Sequence, residues 1–353
     1  MPPEPLVALL VGVVLIAYVL LGGADFGGGV WDLVAGFSER TVRQRRAIAL
    51  SIGPIWEANH VWLIVAIVVL FVAFPVAFAS ISTALHIPLA LMLIGVVLRG
   101  SAFVFRTYDS RRDEIQRRWS LLFAVASTVT PVLLGVTVGA VASGRIRHVD
   151  GTLQADFFSA WLAPFPWAVG LLTLAVFAYL AAVYLTVDLA HDRELQEDFR
   201  VRGLWAAAAV FVLAWVAFGL SSVGAPQVWS GLWGSSWSLP FQVLVGASGL
   251  GCIGTLWARR YTAARALVVI QVVLVVGGWA WAQYPYIIPP DLTVYDAAGP
   301  DNVQWWMLGI LAAGAIPLVP TYVWMMWVFK GQHPLASLTK DEAVVKPEAG
   351  SGG

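Results

Sequence analysis

The sequence predicts an all-α polytopic membrane protein with nine transmembrane helices, N-terminus outside and C-terminus inside. Three observations predict it. Of its 353 residues, 59% are hydrophobic and 12% charged, about half the ~25% charge of a soluble globular chain, and the mean hydropathy is +0.78. Nine stretches approach the ~20 apolar residues a helix needs to cross the hydrocarbon core. The cations between those stretches fall almost entirely on one side. Such a composition excludes a soluble enzyme, a disordered chain and a nucleic-acid binder with a basic face. Net charge points to no partner, because 21 Lys and Arg balance 21 Asp and Glu. The lone Cys252 excludes a disulfide within the chain.

The spans fall at 6–26, 49–73, 77–99, 119–142, 161–187, 203–222, 240–258, 264–282 and 303–329. The leader MPPEP has no positive n-region and no A-x-A site follows the first apolar stretch, so the first span reads as a retained helix, not a signal peptide. With the N-terminus outside, the inner loops and tail hold 18 of the 21 cations, from Arg40, Arg43, Arg45 and Arg46 through to Lys330, Lys340 and Lys346. Outside are only Arg145 and Arg147. That asymmetry is the positive-inside pattern.

Residues 223–239 carry no charge but include Trp229, Trp233 and Trp237, as suits a loop at headgroup level. The Pro-rich segment 283–302, with Asp291, Asp296 and Asp301, reads as an ordered outer cap. Residues 1–334 thus form one transmembrane domain, and 335–353, polar and Gly-ended, a disordered cytoplasmic tail. The glycines at 22–23 and 27–29 lack the strand-before, helix-after setting of a phosphate loop and read as close helix packing.

Ionisable side chains inside the bilayer cost about 2.5–3.5 kcal/mol at mid-helix on insertion scales and so flag function. Asp25, at the inner end of the first span, and Arg99, at the inner end of the third, are at similar depth and suit a structural ion pair. Asp32 reads as interfacial and solvated. Glu57 lies eight residues into the second span, about 12 Å from its inner end, with Asn59 and His60 beside it. A carboxyl group that is neutral when dry and ionised when wet suits proton relay. The competing role is a packing anchor paired to Arg99. His60 and His86 raise the further idea of a haem held between two histidines; a hydrogen-bonded helix contact is the plainer reading. No C-x-x-C-H, H-E-x-x-H or other metal-ligand spacing occurs. Most of the 18 Trp, 17 Phe and 9 Tyr belong to interfacial belts and packing.

A first span ending GGADFGGGVWDL, then TVRQRRAIALSIGPIWEANHVWLI, then LFVAFPVAF, with LRGSAFVFR and WLAPF further on, resembles subunit II of cytochrome bd-type quinol oxidases. The likeness runs to about residue 330 and is densest over 18–106. It implies two four-helix bundles plus one peripheral helix, and a heterodimer with a haem-bearing subunit I that carries haem b and haem d, in the bacterial inner membrane. It also implies quinol oxidation near the outer face, oxygen reduction to water with protons drawn from inside, and no haem or metal on this chain. A small single-span subunit and a structural quinone or lipid are further expectations of the resemblance. Glu57 matches the acidic position of the family's W-[DE]-x-N motif, which the resemblance assigns to proton delivery. Asn59 and His60 stand as further relay candidates; at His60 relatives often carry another polar residue such as Gln. Asp25 and Arg99 fall on the family's acidic and basic positions, with a structural role. The rival classes are a proton-coupled secondary transporter using Glu57, a self-sufficient b-type cytochrome using His60 and His86, and a scaffold with no chemistry. A transporter would show broken helices at matching places in two halves, and Pro75 and Pro88 have no clear counterpart in spans five to eight.

Overall fold

The computed structural model describes residues 2–35, 39–53, 56–108, 113–149 and 151–331. The tail expected over 335–353 lies outside the described residues. Among those described, nine helices are long and apolar enough to cross a membrane, in the order the hydropathy predicts.

The chain starts with α1 (Glu4–Val34), which runs eight residues further than its predicted span. The predicted second span is two helices, α2 (Glu39–Ile52) and α3 (Trp56–Ala73). Pro54, between them in sequence, has no N–H to give to a continuous helical ladder. The third is likewise divided into a short α4 (Pro75–Ala84) and α5 (His86–Tyr108). There Pro88 cannot donate to Ala84, and its ring would meet that carbonyl in an unbroken helix. Next come α6 (Asp113–Ala142), a small hairpin of β1 (Arg147–Val149) and β2 (Thr152–Gln154), then α7 (Pro164–Asp188) and α8 (Arg193–Gly224). The uncharged Trp-rich segment expected as a loop instead folds as α9 (Pro226–Trp233), with Trp229 and Trp233 stacked at 5.9 Å. Following it are α10 (Ser238–Trp257), α11 (Tyr261–Gln283), strands β3 (Tyr286–Ile288) and β4 (Leu292–Thr293), and α12 (Asp301–Gly331).

The helix α7 is the hub, packed on α8, α6 and α1. Glycines of α1 let its neighbours approach: a Cβ on Gly27 would sit 1.9 Å from the Phe177 carbonyl oxygen of α7, and one on Gly29 would sit 2.2 Å from Ser127 of α6. The Gly clusters of α1 are therefore packing surfaces, as the sequence indicates.

One end of the bundle is a cap. Val7, Phe74, Leu85, Ile146, Trp161, Ile288 and Val294 share one core there, and Arg147 grips Asp291 at 2.6 Å. That guanidinium holds the Asp291 carboxyl below the usual carboxylate range. The other end is basic. There Arg40 and Arg43 of α2 pair with Asp198, Asp192 and Glu194 at the start of α8, and Gln44 donates to Asp198 at 2.7 Å. By contrast α12 stands apart. It touches α3 and α1, and among its described side chains only Gln304 is buried.

Candidate functional site

The polar interior of the bundle is built by α1 and α5, which both run from the cap end to the basic end. Asp25 and Asp32 are seven residues apart on α1, and Arg99 and Arg106 seven apart on α5. Seven residues are close to two helical turns, so each helix turns both of its charges to nearly the same side. The result is a ladder with two rungs of opposite charge.

The upper rung holds four of the residues singled out in the sequence. Asp25, Asn59 and Arg99 are each at most 3% exposed. Asn59 Nδ2 donates to Asp25 Oδ2 at 2.6 Å. Arg99 interacts electrostatically with Asp25, donates through Nε to Ser127 at 3.2 Å, and lies 4.5 Å over the Phe26 ring and 5.3 Å from Phe123. Its Nη1 is 3.1 Å from His60 Nε2. Because a guanidinium can only donate, Nε2 is the acceptor there and the His60 proton sits on Nδ1. That Nδ1, like Arg99 Nη2, has no hydrogen-bond partner among the described residues.

The lower rung is a correction to the sequence reading. Asp32 is not solvated: it is 1% exposed and lies between Arg45 at 2.7 Å and Arg106, which donates to its other oxygen. The sequence shows Arg45 and Arg106 only as loop cations. What buries Asp32 is the extension of α1 to Val34 and of α5 to Tyr108, which draws both side chains inside. For the same reason Asp25 and Arg99 are not at helix ends. Each is nine residues, about 14 Å, from the end of its helix.

Glu57 occupies the first turn of α3 and is exposed on the surface of the chain. No ion pair or hydrogen bond engages it among the described residues. Asn59, level with Asp25, fixes its depth: two residues earlier on α3, Glu57 is about 10 Å from the level where α1 ends.

The two histidines are not neighbours. His86 opens α5 at the cap end, is exposed, and packs edge-on to Phe157 at 5.0 Å. His60 bonds to Arg99, thirteen residues or about 20 Å further along α5. Held that far apart, they cannot ligate one haem. Among the described residues no group of His, Cys, Asp and Glu could hold a metal ion.

Two partners in the upper rung, Ser127 and Tyr322, were missed by sequence reasoning. Tyr322 of α12 donates to Asn59 Oδ1 at 2.8 Å and meets Trp62 edge-on at 6.0 Å. In the apolar run PLVPTYVWMMW it looks like one more packing aromatic. The signal was that its hydroxyl is the polar tip of a residue well inside a span, where a partner is required.

Among the described residues, nine helices apolar enough to cross a membrane and a two-rung charge ladder inside their bundle are the features of an integral membrane protein that carries charge inside the bilayer. A family model of cytochrome bd terminal oxidase subunit II matches residues 4–329. Subunit 2 of the cytochrome bd-I ubiquinol oxidase of Escherichia coli K12 is 27% identical over 92% of this chain and 93% of its own. Subunit 2 of the Bacillus subtilis cytochrome bd ubiquinol oxidase is 31% identical over 149 residues, 42% of each chain. A chain of the bd oxidase from Geobacillus thermodenitrificans superposes with a TM-score of 0.79 at 22% identity, covering 94% of this chain and 100% of that one. The chain belongs to the cytochrome bd terminal oxidase subunit II family. It is thus a multi-pass subunit of a bacterial inner-membrane oxidoreductase whose partner is a subunit I, which sets aside the transporter reading.

Proposed function

We propose that the chain is the non-haem subunit of a quinol:oxygen oxidoreductase, that it stabilises a subunit I bearing haem b and haem d, and that it helps deliver protons for reducing oxygen to water. The ubiquinol oxidases named above support the quinol half. In this reading the cap end faces outward and the basic end inward, as the 18 inner cations favour. The nine spans form two four-helix bundles with one peripheral helix.

The observation that carries the proton role is Glu57: a carboxyl group without a partner among the described residues, about 10 Å inside the basic end, two residues from the Asn59–Asp25 pair. An exposed carboxyl at that depth is stable only against water or a polar partner surface. It takes protons from the inner side. Asn59 and Asp25 continue the polar path inward, and His60 adds a free Nδ1 beside Arg99. Arg99 and Asp25 hold the helices around the path.

In the assembled complex Glu57→Gln slows oxygen consumption by on the order of a hundredfold while the haem spectrum persists. Glu57→Asp is milder, because an ionisable group survives at shorter reach. Unchanged turnover in Glu57→Gln refutes the relay.

A further inference from the structure

Besides Gln304 at the cap, the helix α12 brings a tyrosine hydroxyl to the polar interior of the bundle, and the chemistry of its neighbours fixes what that group does. Asn59 is 1% exposed and lies between two partners: its Nδ2 donates to Asp25, and its Oδ1 accepts from Tyr322. An amide has an acceptor end and a donor end. An ionised Asp25 can only accept, so it selects the donor end and leaves Oδ1 for Tyr322 to fill. The Trp62 indole N–H lies beside the Tyr322 oxygen, short of hydrogen-bond geometry, and does not compete for Asn59. Tyr18 and Arg99 also act electrostatically on Asp25.

We propose that Tyr322 is a positioning residue for proton transfer, its hydroxyl fixing the Asn59 amide so that the N–H end faces the Asp25 carboxylate. This rests on the relay reading above. When a proton taken up at Glu57 is carried on by water, one O–H bond of that hydronium breaks and one carboxyl O–H bond forms at Asp25. Protonated Asp25 becomes a donor, Asn59 turns over to offer it Oδ1, and Nδ2 then points at the Tyr322 oxygen, which accepts. Loss of the proton onward resets the chain. Tyr322 is therefore a donor in one state and an acceptor in the other, which Phe cannot be.

The test uses the assembled oxidase complex. Tyr322→Phe keeps the ring against Trp62 and removes one oxygen. Turnover per haem falls about fivefold, the factor for one lost ordinary hydrogen bond, and the solvent deuterium isotope effect rises because proton movement becomes slower. In an Asn59→Ala background the same substitution adds nothing. Normal turnover with an unchanged isotope effect overturns the inference, as does an undiminished effect in the Asn59→Ala background. Should Tyr322→Phe prevent assembly, fluorotyrosine at 322 keeps ring and hydroxyl while strengthening the donor. An altered isotope effect then supports the role, and an unaltered one overturns it. The two readings separate: slow Glu57→Gln with normal Tyr322→Phe sinks only the tyrosine role. Normal Glu57→Gln with slow Tyr322→Phe sinks Glu57 as the proton source and leaves the positioning role.

Discussion

Replacing Asp32 by Asn tests the lower rung of the charge ladder most directly. The substitution conserves volume and removes one negative charge from between Arg45 and Arg106. Arg106 is 9% and Asp32 1% exposed, so solvent screens their attraction little, and breaking a buried pair from one side costs about 3–5 kcal/mol. Arg45 is 30% exposed; its share is discounted to at most about 1 kcal/mol. Asp32→Asn therefore lowers the apparent thermal midpoint of the detergent-solubilised complex by roughly 5–10 °C at a fixed scan rate. Arg106→Met costs less, because Asp32 keeps Arg45. Adding Arg106→Met to Asp32→Asn recovers most of the loss, since removing both members of a buried pair is often near neutral; a double-mutant cycle reads that coupling. A solvated aspartate would give a change within about 0.5 kcal/mol, so a midpoint within a degree of the parent refutes the buried rung.

Gly27→Ala drives a methyl group into the Phe177 carbonyl oxygen; overpacking of this kind costs about 1–3 kcal/mol and lowers the yield of assembled complex, whereas Gly12→Ala, which meets nothing within 4 Å, leaves it unchanged. At the cap, the His148 amide donates to Asp291 at 2.9 Å. Because the folded Asp291 carboxyl is held below its ordinary range by Arg147, the cap's stabilisation is complete above the ordinary value of about 3.9 and fades as pH falls through the lowered one. Hydrogen exchange at His148, corrected for intrinsic rate, therefore speeds up below about pH 4, and in Asp291→Asn the acid-dependent part disappears. At the basic end, the α2 to α8 pairs are exposed and solvent-screened: Arg40→Ala lowers the melting midpoint only slightly, and that small effect shrinks further in molar salt, which parallel melts at low and high salt check.

The spans were legible because hydropathy over ~20 residues is a one-dimensional signal that the bilayer enforces. The breaks were harder: Pro75 and Pro88 stood out, yet a window average over 77–99 smooths across Leu85, where α4 gives way to α5. Asp25, Asn59, His60 and Arg99 were found because charge and polarity are conspicuous in an apolar run, and the structure gathers all four. The partners were less visible. Glu57 was set against Arg99 as a rival pair, whereas the guanidinium turns to His60 and Ser127 instead. The burial of Asp32 depends on arginines from two other helices, at separations no local pattern encodes. Tyr322 is 263 residues from Asn59; its own segment shows that a hydroxyl within a span needs a partner, but not which residue that partner is.

The near-nakedness of α12 bears on how the chain is put together. Hydrocarbon tails wet Leu and Trp as readily as a neighbouring helix does, so a segment that hides almost nothing within its own fold incurs no penalty for standing outside. It behaves as a docked strut more than as a stave of the barrel. The α7-centred core contains no residue of α12, so truncation after the cap would strip away a hydroxyl clasp and the apolar contacts of Met307, Leu308 and Leu311 without opening that core.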